Sequence, residues 1–141
     1  MSLAPGYELV DGSPSTQDYL DLRLRSGLSP KRTEQAAEAL RGSWAACHVL
    51  HEHEGRSVAM GRVIGDGGWY FHVADMAVLP EHQRRGLGGA VLSYLLDRIR
   101  ARAPRGALVT LLADPPGRAL YAKHGFVESA PGSIGMILLL D

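Results

Sequence analysis

The sequence is 141 residues long, with 45% hydrophobic and 21% charged residues. That balance suits a single globular domain over residues 1–141 and argues against wholesale disorder or a second full domain. Fifteen basic residues offset fifteen acidic ones, so no global field directs the chain to nucleic acid, an anionic membrane or an acidic partner; a charged site has to be local. The one cysteine, Cys47, excludes an internal disulfide and any multi-cysteine metal pattern. No apolar run approaches the roughly 18 residues of a spanning helix, and the first residues hold no signal-peptide core. The expectation is a soluble cytoplasmic protein that binds neither membrane nor nucleic acid.

In chain order, residues 7–10 read as a short strand ended by Asp11-Gly12. Residues 16–24 suit a helix capped by Ser15 or Thr16, and 31–40 a second helix closed by Gly42. Residues 44–51 and 57–64 predict two strands joined by the turn His53-Glu54-Gly55-Arg56. After Gly65-Asp66-Gly67-Gly68, residues 69–79 predict a third strand of an antiparallel meander, stopped by Pro80. A long helix spans 86–102, with Leu87, Val91, Leu95 and Ile99 on one face, widened by Leu92 and Leu96. Residues 107–113 predict a buried strand, 118–123 a short helix before Gly125, and 134–140 a last strand. The order predicts a mixed α/β (α+β) sheet with helices packed on it.

The segment from Val78 to Ala90 carries the chemistry. A strand ends, a short loop follows, and a glycine-rich turn opens an amphipathic helix. Such a helix start presents unpaired N–H groups and the positive end of the dipole, which favours a phosphate. Gly86, Gly88 and Gly89 leave the backbone approachable, and Arg84 and Arg85 add local positive charge. A P-loop would need a Lys-Ser or Lys-Thr pair where Gly89-Ala90 stands. A dinucleotide fold would need a third glycine at Val91 and a parallel βαβ start. Both nucleotide readings fail on residues.

Gln83-Arg84-Arg85-Gly86-Leu87-Gly88 resembles the acyl-CoA signature Gln/Arg-x-x-Gly-x-Gly/Ala of the GNAT superfamily of N-acetyltransferases. Leu120-Tyr121-Ala122-Lys123-His124-Gly125-Phe126, led by Asp114, resembles a second segment of that family, in which asparagine often stands at the aspartate. The resemblance covers nearly the whole chain. It implies the GNAT acyltransferase fold, a mostly antiparallel mixed sheet splayed between strands 4 and 5 with flanking helices. It further implies acetyl-CoA as co-substrate, its pantetheine arm paired with Met76, Ala77 and Val78. The pyrophosphate would lie on Gln83, Arg84, Arg85, Gly86, Leu87, Gly88 and Gly89. Tyr121 matches the family's general acid for the departing thiolate. Asp75, the carboxylate nearest the implied splay on the strand that would carry the cofactor, is the candidate substrate-binding residue, and the base is either Asp75 or water, unless the amine binds deprotonated. The implied reaction is direct attack of a primary amine, on a small molecule or a protein, in a ternary complex. A non-catalytic acyl-CoA sensor or interaction module on the same fold is the alternative.

Other residues read more plainly. Lys123 reads as a surface lysine and Cys47 as a small buried hydrophobe. Strand alternation places His48 opposite His51 and His53, so these histidines predict no metal site. Dimers are common in the resembled family, and Ile137-Leu138-Leu139-Leu140 offers an edge to a second copy, so a homodimer joins acetyl-CoA and the acceptor among the expected partners.

Overall fold

The computed structural model describes residues 3–140 and divides into two compact units, 1–111 and 112–141. The first contains β1 (Tyr7–Asp11), α1 (Thr16–Arg25), α2 (Thr33–Arg41), β2 (Ala45–His51) and β3 (Arg56–Gly65). β4 (Tyr70–Val78), α3 (Leu87–Arg102) and β5 (Leu108–Thr110) complete it. The strands lie in the order β1-β2-β3-β4-β5, the first four antiparallel and the last pair parallel. This is the mixed sheet with flanking helices that the element order predicts.

Periodicity explains the packing. Leu87, Val91, Leu92, Leu95, Leu96 and Ile99 are the buried residues of α3, which lies on β2, β3 and β4. Burying each such side chain contributes about 1.5–3 kcal/mol. Gly61 lets the helix close in, because a Cβ there would stand 2.6–3.0 Å from Met76, Val91 and Leu95. α1 packs on β3 and β4 through Tyr19 and Leu22, and its N-terminus is capped by Ser15 Oγ, which accepts from the Asp18 N–H at 3.1 Å. Cys47 is buried as expected, and burial, with Asp11 nearby, pushes its thiol up to about 12.

Two strand expectations need correction. Residues 107–113 shorten to the three-residue β5, whose Leu108 is exposed, because the strand forms the sheet edge and pairs only on one side. Residues 134–140 form no strand among the described residues, and Ile137 to Leu140 are exposed. An apolar run becomes a strand only through ladder pairing, and residues 134–140 have no such pairing among the described residues. The second unit consists of a 3-10 turn (Pro115–Gly117), α4 (Arg118–Lys123) and an irregular segment. No helix of the described residues is long and apolar enough to cross a membrane.

Candidate functional site: a bulged strand beside an uncapped helix start

β4 and β5 pair only from Tyr70 to His72, so β4 runs on from Val73 to Val78 without a β5 partner. The sheet therefore opens along the segment that contains Asp75, Met76, Ala77 and Val78. A bulge lies within it. Met60 pairs with Ala77 and Arg62 with Ala74, so Asp75 and Met76 together face Gly61, and Asp75 has φ +57°. A bulge bends a strand and leaves its extra residue outside the ladder, which frees backbone groups for a ligand.

The glycine-rich turn lies just after this strand. Arg84 and Gly86 both have positive φ, +63° and +77°, with Arg85 between them in an ordinary conformation. Such alternation turns successive N–H groups inward to form an anion-binding concavity. The first helical bond of α3 is Ala90 N–H to Gly86 O at 3.1 Å, which leaves Leu87, Gly88 and Gly89 as first-turn donors. Unlike α1, this helix start has no side-chain cap and no acidic residue in its first turn. Arg84 and Arg85 are exposed beside it. Gln83 turns back, its Nε2 donating to Val78 O at 3.1 Å, and ties the turn to the end of β4. The turn is also anchored from below by His82, which is buried between the Tyr7 hydroxyl (2.7 Å) and Glu54 Oε2 (2.5 Å). The residues proposed for the pyrophosphate are thus gathered around one open helix end.

Asp75 is 9% exposed at its side chain. Its Oδ2 accepts from the Tyr19 hydroxyl and Arg62 Nε, and its Oδ1 from Arg23 Nη1, each at 2.5 Å. Burial pushes the carboxyl up, but hydrogen bonds from Tyr19 and Arg62 and the charges of Arg62 and Arg23 outweigh it, holding the group below its ordinary 3.8. A carboxylate held that acidic is a weak proton acceptor.

His72, not singled out by its position in the sequence, is the last β4 residue paired with β5, and its Nδ1 lies 2.9 Å from Thr110 Oγ1. Burial first, and then the Arg62 charge, hold its imidazole below the ordinary 6.5, so it is neutral at pH 7. Arg23, Arg62 and Tyr19 likewise escape sequence reasoning, since each sits on a different element and only the fold brings them to Asp75. The same holds for His51, Glu54 and His82, whose ligand-type atoms lie within 4.8 Å of one another. Hydrogen bonding through Glu54 accounts for that cluster. His48 lies apart, bonded to Gly12 O at 2.8 Å.

In the second unit, Tyr121 is half-buried, its ring edge-on to Phe126 at 6.1 Å. It lies over Gly117, where a Cβ would stand 2.7 Å from the ring. Burial, then the charge of Asp114, raise its phenol above the ordinary 10.0, so it carries its proton at neutral pH. Its hydroxyl has no hydrogen-bond partner among the described residues and is not a buried orphan, so it is open to donate.

A mixed sheet that opens beside a bare, glycine-rich helix start is the framework of an acyltransferase fold. An acetyltransferase (GNAT) domain profile matches residues 44–128, and the chain belongs to the GNAT acetyltransferase family. It is 33% identical to a solved probable acetyltransferase from methicillin-resistant Staphylococcus aureus, with a TM-score of 0.90 over 95% of this chain and 99% of that one. It is 28% identical to GCN5-related N-acetyltransferase 1, chloroplastic, of Arabidopsis thaliana, covering 96% of this chain and 75% of the relative. The Arabidopsis thaliana glucosamine-6-phosphate N-acetyltransferase shares the fold at 18% identity and a TM-score of 0.74, covering 96% of this chain and 99% of that one. Family membership establishes acyl transfer as the general activity.

Proposed function

We propose that residues 1–141 form one catalytic domain, a cytoplasmic N-acetyltransferase that moves an acetyl group from acetyl-CoA to a primary amine in a ternary complex. The observation that carries this reading is the pairing of the Asp75 bulge with the anion-binding turn at Arg84 to Gly89. Acetyl-CoA, when bound, supplies an activated acetyl thioester. The donors at Leu87, Gly88 and Gly89, with Gln83, Arg84, Arg85 and Gly86 around them, hold its pyrophosphate, and the open backbone at Met76, Ala77 and Val78 holds the pantetheine arm. No metal enters the scheme.

Asp75 acts by holding Arg23, Arg62 and Tyr19 in place on the acceptor side, and its depressed pKa makes it a poor base. His72 is the better acceptor for the amine proton: with Nδ1–H donated to Thr110, Nε2 keeps a free lone pair. Because its pKa is lowered, the imidazole stays competent below pH 6.5. His72→Gln is therefore expected to lower kcat/KM by about 100-fold and to remove an acid limb lying below pH 6.5. An unchanged limb in the pH profile would assign that proton elsewhere.

Tyr121 donates the proton to the departing thiolate. Release of free thiol from acetyl-CoA with a panel of primary amines tests the function, and Tyr121→Phe is expected to lose about 100-fold in kcat while still binding acetyl-CoA. Full activity of that variant removes Tyr121 from the role. Tight acetyl-CoA binding with no turnover on proteins, peptides or small amines would instead identify a sensor on the same fold.

A further inference from the structure

A cavity of about 260 Å³ lies between α1, α2 and the bulged part of the sheet, and its wall includes Tyr19, Arg23, Lys31, Gln35, Arg62 and Asp75. Three cations face one carboxylate, an excess of two positive charges in a protein whose total is zero. Asp75 is already spent on Arg23, Arg62 and Tyr19. The acidic residues of α2 are engaged elsewhere, Glu34 with Arg32 and Glu38 with Arg41. Arg62 uses Nε on Asp75 and Nη1 on Ala39 O and Ser43 Oγ; its Nη2 has no partner among the described residues. No buried side-chain nitrogen is left unpartnered among the described residues, so that Nη2 is reached by solvent, and Arg62 lines the cavity. Lys31 stands exposed at the rim, with no ion pair among the described residues.

From this arrangement we infer that the acceptor is a small amine that also carries an anionic group, a carboxylate or a phosphate, held by Arg62 Nη2 and Lys31. The inference rests on the acetyltransferase reading and names the acceptor class of that site. A guanidinium fixed by Asp75 is preorganised for planar oxyanion recognition, and the lysine adds a mobile point charge. At about 30 Å³ for each water-sized group the cavity admits about nine of them, the scale of an amino acid or a phosphorylated amino alcohol. The same excess of positive charge disfavours an ammonium, so it favours the neutral amine that the attack requires.

Matched acceptors test this: β-alanine against β-alaninamide, and 2-aminoethyl phosphate against ethanolamine, each assayed for acetyl transfer and for direct binding by calorimetry. The anionic member of at least one pair should be preferred about 10-fold, with the preference fading as salt rises. The two pairs separate a carboxylate site from a phosphate site. Lys31→Glu should raise the KM of the preferred anionic acceptor about 10-fold and leave the ratio near 1 for its neutral counterpart. Arg100→Glu, the same change of net charge on the last turn of α3, should move neither. Neutral acceptors bound as well as anionic ones, or Lys31→Glu affecting both members equally, would overturn the inference. If no amine is acetylated, the transferase reading fails, and the calorimetric preference still decides whether the cavity is an anion site.

Discussion

Replacing Asp75 by asparagine is expected to lower the stability of the fold by about 3–5 kcal/mol. The substitution keeps the size, and asparagine tolerates the φ of +57° that the bulge imposes. What disappears is the charge that compensates Arg23 and Arg62, whose side chains are 10% and 13% exposed. Two guanidinium groups would then face each other across a neutral amide. The measurement is the urea midpoint at unchanged slope, since a lower midpoint without a change in m reports stability. A loss below about 1 kcal/mol would place the pair among ordinary surface contacts.

The pH dependence has a definite sign. The folded Asp75 carboxyl lies below its ordinary 3.8, so its contribution is complete above that value and is lost as pH falls through the folded pKa. Wild-type stability should decline with acid in that window, and Asp75→Asn should show a shallower decline there. A parallel pair of stability curves below about pH 4 would contradict the shift.

Gly88→Glu is expected to weaken acetyl-CoA binding by at least about 100-fold while leaving the fold intact. Gly88 is the second residue of α3, where an acidic side chain complements the helix dipole and a glycine gives way to a better helix former. Thermal stability of the free protein should therefore hold or rise. The glutamate nonetheless places bulk and negative charge among the three first-turn donors that the proposed function assigns to the pyrophosphate. Calorimetry with acetyl-CoA gives the affinity and thermal unfolding the stability. Wild-type affinity in this variant would remove the helix start from the cofactor site.

The segment from Gln83 to Gly89 was legible in the sequence because its chemistry is local. Glycines, arginines and a helix start within a few residues mark an uncapped, positively charged turn from spacing alone. The amphipathic repeat of α3 was legible for the same reason, since its buried face follows from spacing alone. The Asp75 cluster was not. Tyr19, Arg23, Arg62 and Asp75 come from α1, β3 and β4, and no spacing rule links residue 19 to residue 75. Asp75 was visible as a carboxylate on the right strand, yet its role as an ion-paired brace depends on neighbours 13 to 56 positions away.

Local residue patterns specified the family, the element order over most of the chain and the glycine-rich turn that opens α3, because periodicity, glycines and helix ends act over a few residues. Tertiary structure alone decided where β4 bulges, which histidine ends the β4–β5 ladder and why a neutral chain has a cavity with two surplus positive charges. It also decided against a strand at residues 134–140, where apolar composition was ample but no strand pairing forms among the described residues. Ladder pairing, ion pairing and burial are long-range conditions; they exist only once distant segments meet.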